Sequence, residues 1–110
     1  MNLKGKRALI TGGSSGIGLA IAEAMLAKGA KIVISGRRPD VLKAAVDGLR
    51  KNGGSVEGIA GDVATEEGRA KTLAFAVDKL GGLDVLVNNA GGVTPKRLLQ
   101  QYRRKADVGT

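Results

Sequence analysis

The 110-residue sequence contains no cysteine and no histidine, and its only aromatic residues are Phe75 and Tyr102. Without cysteine and histidine the chain cannot form a disulfide, a Ser-His-Asp triad, a Cys-His pair or the usual zinc ligand sets. Acid–base chemistry in this chain would therefore depend on Lys, Tyr, Asp or Glu. The absence of cysteine fits a reducing compartment, and the location that we expect is cytoplasmic.

Long apolar runs are also absent from the sequence. No segment approaches the roughly 18 apolar residues that a membrane span needs, and the first residues lack the apolar stretch of a signal peptide. Hydrophobic residues make up 43% of the chain, which is sufficient for one core, and the scarcity of aromatics means that this core is aliphatic. A chain of this length forms one domain at most.

Acidic residues are fewer than basic residues, and the excess of positive charge is unevenly distributed along the chain. Of the net charge of +8, residues 1–92 carry half and the short segment 93–110 carries the other half. This segment has one aromatic residue and no signature of a nucleic-acid-binding fold, which argues against a nucleic-acid partner. We expect one folded domain over residues 1–92 and a basic, frayed or disordered tail over residues 93–110.

Four short apolar runs predict β-strands, and helical patterns lie between them. The predicted strands are Arg7–Ile10, Lys31–Ser35, Val56–Ala60 and Leu83–Val87. Strands that alternate with helices indicate an α/β fold with right-handed crossovers. We expect a doubly wound parallel sheet of about four strands in the order 3-2-1-4, with helices on both faces. The fourth strand would be an apolar edge of the sheet, which favours self-association.

The helical patterns also predict which side of each helix is buried. The predicted core face of the first helix consists of Ile17, Ala20, Ile21, Ala24 and Met25. The predicted core faces of the second and third helices are Val41, Leu42, Ala45, Val46 and Leu49, and Ala70, Leu73, Ala74, Val77 and Leu80. Because each set repeats at helical spacing, each helix should pack one apolar face on the sheet.

A glycine-rich segment, Thr11-Gly12-Gly13-Ser14-Ser15-Gly16-Ile17-Gly18, connects the first predicted strand to the first predicted helix. Gly12 can form a tight turn, Gly16 lets the backbone approach a ligand, and Gly18 lets the helix pack close to the strand. The N–H groups at the start of the helix would point toward a bound anion. The segment therefore predicts a phosphate site, although glycine clusters also simply end strands.

Two arginines follow the second predicted strand. In a dinucleotide-binding fold this position reads the adenosine ribose, where a carboxylate binds the 2′-hydroxyl of NAD and an arginine binds the 2′-phosphate of NADP. Arg37 and Arg38 occupy the position, and no carboxylate precedes Asp40. The pattern favours NADP(H) over NAD(H); the alternative is a solvated charged turn.

Polar loops also follow the third and fourth predicted strands. After the third strand, Asp62 can accept a hydrogen bond from the amino group of adenine while Val63 contacts the ring; the alternative is an Asx-type turn or a helix cap. After the fourth strand comes the sequence Asn88-Asn89-Ala90-Gly91. Its amides can tie strand ends together where the strand order reverses, which is the place where ligands bind in such folds.

Together these segments resemble the classical short-chain dehydrogenase/reductase family, from about Leu3 to Gly92. The resemblance implies a Rossmann-like, dinucleotide-binding half over residues 1–92, with Arg37 and Arg38 on the 2′-phosphate and Asn88 tying the central strands. The cofactor-binding residues that it implies are Gly12, Gly13, Ser14, Ser15, Gly16, Ile17, Gly18, Arg37, Arg38, Asp62, Val63, Asn88, Asn89, Ala90 and Gly91.

The sequence departs from this family at the catalytic residues. The family uses a Ser and a Tyr-x-x-x-Lys motif downstream of the Asn-Asn-Ala-Gly segment. The only tyrosine here, Tyr102, is followed four residues later by Ala106, and Lys105 has the wrong spacing. We therefore assign no catalytic residue.

The resemblance implies an NADP(H)-dependent oxidoreductase that moves a hydride between nicotinamide and a carbonyl or alcohol. Because the catalytic residues are missing, we expect a truncated cofactor-binding half that lacks turnover by itself. The sequence does not define a substrate. The alternative function is a non-catalytic dinucleotide-binding or interaction module.

Overall fold

A computed structural model describes residues 2–90 of the chain, in which strands and helices alternate. The elements are β1 (Arg7–Thr11), α1 (Gly16–Ala27), β2 (Lys31–Gly36), α2 (Pro39–Lys51), β3 (Val56–Ala60), α3 (Glu66–Leu80) and β4 (Val85–Asn88). The expected tail over residues 93–110, with Tyr102, lies outside the described residues, and so does Gly91. None of the three helices described is long and apolar enough to cross a membrane.

The four strands form one parallel sheet in the order β3-β2-β1-β4. At its centre Ile10 of β1 is paired with Ile34 of β2 on one side and with Val87 of β4 on the other. This confirms the predicted α/β fold and its strand order. The chain reverses direction across the sheet between β3 and β4, so the crevice beside the carboxyl end of β1 is the expected place for a ligand.

The sheet is covered on both faces by aliphatic side chains, in two separate clusters. Alternate residues of a strand point to opposite faces, so the neighbours Leu9 and Ile10, both fully buried, belong to different clusters. Ile10 packs with Leu42 and Leu49 on the side of α1 and α2, whereas Leu9 packs with Leu73 on the side of α3. The result is the predicted three-layer arrangement.

Helix α2 buries the predicted face, whereas the predicted face of α1 is confirmed at Met25 and wrong at Ile17, Ala20 and Ala24. The residues of α1 that are buried are Gly18, Ala22 and Met25, whereas Ile17 is 73% exposed. Of the other predicted core positions, Ala20 and Ala24 are exposed and Ile21 is half-buried. The physical reason is the close backbone contact at Gly18, which fixes the rotation of the helix and turns the positions four and seven residues later toward the sheet.

Helix α3 is also rotated relative to the expectation. Its buried residues are Arg69, Thr72, Leu73 and Ala76, so of the predicted face only Leu73 is fully buried and Ala70 is exposed. The predicted residues Ala74, Val77 and Leu80 are half-buried. Because the inward positions include an arginine and a threonine, apolar periodicity could not identify this face.

Strand β4 begins at Val85, two residues later than predicted, and Asp84, just before it, forms an ion pair with Arg7. Its carboxylate accepts hydrogen bonds from the Arg7 backbone N–H at 2.9 Å, from Nε at 3.0 Å and from Nη2 at 3.1 Å. Arg7 Nη1 also donates to the carbonyl of Gly81 at 3.0 Å. These bonds join the start of β1 to the turn between α3 and β4.

The ion pair makes stability depend on acid pH. The hydrogen bonds from the Arg7 side chain and backbone lower the pKa of Asp84 from 3.8 to about 2. A lowered pKa stabilises the fold above the unfolded-state value, and the stabilisation is lost as the pH falls toward about 2. We expect Asp84→Asn to melt below the wild-type chain at neutral pH, and the difference in melting temperature to disappear near pH 2.

The matched control is Asp78→Asn, which changes an exposed carboxylate of α3. Melting curves recorded by circular dichroism from pH 7 to pH 2 would measure both variants against the wild-type chain. A difference for Asp84→Asn that did not change with pH would contradict the assigned role of the carboxylate.

Candidate functional site

A cavity of about 710 Å³ lies over the carboxyl ends of β1, β2 and β3. Loops that follow different strands come together there, as expected for a parallel sheet. The lining residues are Gly12, Ser14, Ser15, Ser35, Gly36, Arg37, Arg38, Val41, Gly61, Asp62, Val63, Ala64 and Ala90. The structure therefore brings the glycine-rich segment, the two arginines and the Asp62 loop to one cavity.

The glycine-rich segment allows three stretches of backbone to meet at the end of β1. Gly12 has a φ of +66°, and a Cβ added there would lie 3.1 Å from the backbone N of Ala90. A Cβ on Gly18 would overlap the carbonyl oxygen of Gly12 and lie 2.7 Å from Nδ2 of Asn89. Helix α1 can approach the turn this closely only because position 18 has no side chain.

The residues of the segment divide into those that line the cavity and those that support it. Gly12, Ser14 and Ser15 line it, while Gly13 packs behind the cavity wall, with its N–H donating to the carbonyl of Ser35 at 3.0 Å. The other predicted residues of the segment, Gly16, Ile17 and Gly18, do not line the cavity. At Ser15, the N-cap of α1, the side chain makes no capping hydrogen bond.

Thr11 connects the ends of β1 and β4 through its side chain. The hydroxyl, in a residue with no solvent exposure, donates to Oδ1 of Asn88 at 3.0 Å and accepts from the N–H groups of Asn89 at 3.1 Å and Ala90 at 3.3 Å. Asn89 Nδ2 donates to the carbonyl of Gly12 at 3.1 Å. Neither asparagine lines the cavity, and of the predicted Asn-Asn-Ala-Gly residues that the structure describes, only Ala90 does.

Arg37 and Arg38 lie exposed at the rim of the cavity, directly after β2. Below them the chain is tightly packed, since a Cβ on Gly36 would lie 2.6 Å from Oγ of Ser14. Arg38 lies 3.9 Å from the carboxylate of Asp40, with both side chains 76% exposed. Arg37 makes no ion pair within residues 2–90. Its guanidinium is therefore available to an anion at the rim.

The loop after β3 forms the opposite wall of the cavity. Oδ1 of Asp62 accepts from the N–H of Ala64 at 2.9 Å, which is the Asx-type turn named above as the alternative to ligand binding. Oδ2 has no hydrogen-bond partner among the described residues, and Asp62 is exposed and lines the cavity. The turn and a ligand contact are therefore compatible, because they use different oxygens.

Five lining residues were not among the predicted cofactor-binding residues: Ser35, Gly36, Val41, Gly61 and Ala64. Ser35 and Gly36 directly precede the two arginines, and Gly61 directly precedes Asp62. Val41 lies in the first turn of α2, close in sequence to the two arginines, and Ala64 directly follows Val63. All five sit beside motifs already identified, so extending each motif along the chain is the signal that could have found them. The described residues contain no cluster of carboxylates that could hold a metal ion.

The sequence of the whole chain also matches a known family. A family model described as short chain dehydrogenase matches residues 6–107. The chain belongs to the short-chain dehydrogenase/reductase family. Its motifs are those of the classical subgroup, as the sequence analysis predicted.

Individual members of the short-chain dehydrogenase/reductase family show how far the similarity extends. The 7alpha-hydroxysteroid dehydrogenase of Escherichia coli (strain K12) is 40% identical over 96 residues, which are 87% of this chain and 38% of that protein. A short chain dehydrogenase from Burkholderia cenocepacia, solved in complex with NADP, is 31% identical, with a TM-score of 0.80 over 98% of this chain and 52% of the other.

A third relative carries a different cofactor. A 7 alpha-hydroxysteroid dehydrogenase complexed with NADH and 7-oxo glycochenodeoxycholic acid is 34% identical, with a TM-score of 0.80 over 92% of this chain and 42% of the other. The chain thus spans about half or less of each of these three family members. Family members of closely similar fold have been solved with NADP and with NADH.

The backbone contact at Gly18 can be tested with one methyl group. We expect Gly18→Ala to lower the free energy of unfolding by about 1–3 kcal/mol, because the methyl overlaps backbone that cannot move aside. Gly48→Ala is the matched control, since Gly48 lies exposed in α2 with nothing within 4 Å of an added Cβ. The control should gain up to about 1 kcal/mol from helix propensity.

Urea unfolding of both alanine variants beside the wild-type chain would measure these differences. Equal stability of Gly18→Ala and the wild-type chain would show that α1 does not need the close contact.

Proposed function

We propose that residues 2–90 bind NADP(H) for an oxidoreductase that transfers a hydride between nicotinamide and a carbonyl or alcohol. The observation that carries the proposal is the cavity at the carboxyl edge of the sheet, with Arg37 and Arg38 at its rim and no carboxylate in the turn after β2. The names of the relatives, which include a 7alpha-hydroxysteroid dehydrogenase, support the oxidoreductase class.

The residues of the cavity fit a dinucleotide in their chemistry. The first N–H groups of a helix lack intrahelical partners and attract anions, and Ser14 and Ser15 line the cavity at the start of α1. These groups would hold the pyrophosphate, and Asp62 would accept from the amino group of adenine through Oδ2. When bound, the cofactor supplies or accepts the hydride, and the part played by these residues is to hold and orient it.

Supporting residues would contribute by fixing the cavity walls. Gly13 and Gly18 set the path of the glycine-rich turn, and Asn88 and Asn89 hold the end of β4 against it. A contact of Gly91 with the cofactor stays a prediction, since Gly91 lies outside the described residues.

The preference for NADP(H) over NAD(H) rests on the turn after β2. A 2′-phosphate placed there would meet two guanidinium groups, one of which has no ion pair among the described residues. A 2′-hydroxyl would find no carboxylate acceptor in the same turn. The solved relatives carry NADP in one case and NADH in another, so the argument depends on the residues of this chain.

We expect the wild-type chain to bind NADPH about ten- to a hundredfold more tightly than NADH, since a hydrogen bond to a charged group contributes about 1.5–3 kcal/mol. Arg37→Ala should remove most of this preference by weakening NADPH binding alone. Arg38→Ala should have the smaller effect, because Asp40 competes for its guanidinium. Fluorescence titration of both cofactors measures the preference.

Arg50→Ala is the control for general loss of positive charge, because Arg50 does not line this cavity. Equal affinity of the wild-type chain for the two cofactors would overturn the assignment, as would an undiminished preference in Arg37→Ala.

The second candidate function is a non-catalytic dinucleotide-binding or interaction module. The residues that line the cavity support it, because glycines, serines and arginines can hold a ligand there and none of them is assigned a catalytic role. In either case we expect no turnover by the 110-residue chain, since losing acid–base catalysis typically costs 10²–10⁴ in rate. Oxidation of NADPH with a panel of ketones and aldehydes should proceed at the rate of buffer alone. Turnover that disappears in Tyr102→Phe would reveal a compact active site instead.

We also propose a cytoplasmic location and self-association for the protein. A cytoplasmic location rests on the lack of cysteine. Self-association rests on β4, which stands at one end of the strand order and whose residues are only half-buried within the described structure.

A further inference from the structure

Arg69 is a charged residue inside the fold, and its surroundings connect it to the cavity. It lies on the first turns of α3 with only 7% of its surface exposed. Arginine is rarely buried to this extent, because removing its charge from water is costly unless the guanidinium is well hydrogen-bonded. Its Nη1 donates to the carbonyl of Val63 at 3.1 Å and to the carbonyl of Ala64 at 3.0 Å.

The start of α3 is built against the loop that carries Asp62. The Thr65 hydroxyl donates to the Asp62 carbonyl at 2.9 Å and accepts from the N–H of Gly68 at 2.9 Å. A Cβ on Gly68 would overlap the same Asp62 carbonyl oxygen. The carbonyl of Asp62 thus accepts a hydrogen bond from Thr65, and the carbonyls of Val63 and Ala64 accept from Arg69. All three consecutive carbonyls are therefore bound by side chains at the beginning of α3.

These contacts bear on which oxygen of Asp62 is left to bind a ligand. Oδ1 is used by the N–H of Ala64, and the carbonyl of Ala64 is held in turn by Arg69. The Asx-type turn can persist only while the peptide groups on either side of Ala64 keep their orientation. Fixing those groups keeps Oδ1 on the Ala64 N–H and leaves Oδ2 without a hydrogen-bond partner among the described residues.

We propose that Arg69 is a positioning residue that gives the cavity its selectivity for adenine. It acts through the loop from Asp62 to Ala64, holding Oδ2 of Asp62 where the amino group of adenine can donate to it. The inference rests on the proposed function, since it assumes that the cavity takes a dinucleotide. Arg69 belongs to α3 and does not line the cavity, yet it would influence which base the cavity accepts.

Base selectivity separates this role from a merely structural one. The probes are NADPH and its analogue with hypoxanthine in place of adenine, in which a carbonyl oxygen replaces the amino group. The wild-type chain should bind NADPH about tenfold or more tightly than the analogue, since one hydrogen bond to a carboxylate is exchanged for repulsion. In Arg69→Met the ratio of the two dissociation constants should fall to about threefold or less.

Arg50→Met is the matched control for the loss of a structural arginine. Arg50 also donates from a helix to a carbonyl six residues later, with Nε 3.1 Å from the Val56 oxygen, and it pairs with Glu57 at 3.0 Å. It does not line the cavity. Arg50→Met should therefore lower the melting temperature while leaving the ratio of dissociation constants at its wild-type value.

A double variant tests whether Arg69 acts through Asp62. Asp62→Asn should by itself reduce the ratio, because the amide no longer offers a carboxylate to the amino group. Adding Arg69→Met to Asp62→Asn should then leave the ratio unchanged. A further fall in the double variant would show that Arg69 acts by another route, which would overturn the inference.

Each outcome distinguishes this inference from the proposed function. A wild-type chain that bound neither dinucleotide would overturn the proposed function and this inference with it. A wild-type chain that bound NADPH without preferring it to the analogue, or an Arg69→Met variant with the full preference, would overturn the inference alone. If Arg69→Met does not fold, Arg69→Gln replaces it, because the shorter, neutral amide loses the charge-assisted bonds to the two carbonyls. A ratio in Arg69→Gln equal to that of the wild-type chain would overturn the inference.

Discussion

The close approach of three backbone segments at the end of β1 is the constraint on which the rest of the structure depends. The turn at Gly12, the first turn of α1 at Gly18 and the segment after β4 at Ala90 meet there; a Cβ on Gly18 would overlap backbone, and one on Gly12 would be only 3.1 Å from the backbone N of Ala90. The Thr11 hydroxyl holds two of these segments together from the inside. The contact sets the rotation of α1, and it places the start of that helix at the floor of the cavity.

The order of elements and the position of the cavity could be predicted from the sequence, because both follow from patterns that recur along the chain. Short apolar runs between helical patterns identified the strands, and the glycine-rich segment marked where the sheet and the first helix meet. The rotation of α1 could not be predicted in this way. Its sequence is apolar on several sides, so Ile17 matched the helical pattern, and only the backbone contact at Gly18 turns it toward solvent.

In the candidate site, too, some residues could be predicted from the sequence and others could not. Loops after the strands contributed Ser14, Arg37 and Asp62 to one cavity, as their positions in the sequence predicted. Residues that act by holding those loops were harder to find, because most of their partners are backbone N–H and carbonyl groups that no sequence pattern displays. Thr11 and Arg69 belong to this class: each is buried and polar, and each is explained only by hydrogen bonds visible in the folded chain.

The two outer strands of the sheet differ in how their backbone is protected. At β3, the Arg50 guanidinium already occupies the Val56 carbonyl and is held there by Glu57. Any further strand alongside β3 would first have to displace this side chain, since an edge pairs through those same backbone groups. Extension of the sheet past β3 therefore requires that the hydrogen bond between Arg50 and the Val56 carbonyl be broken.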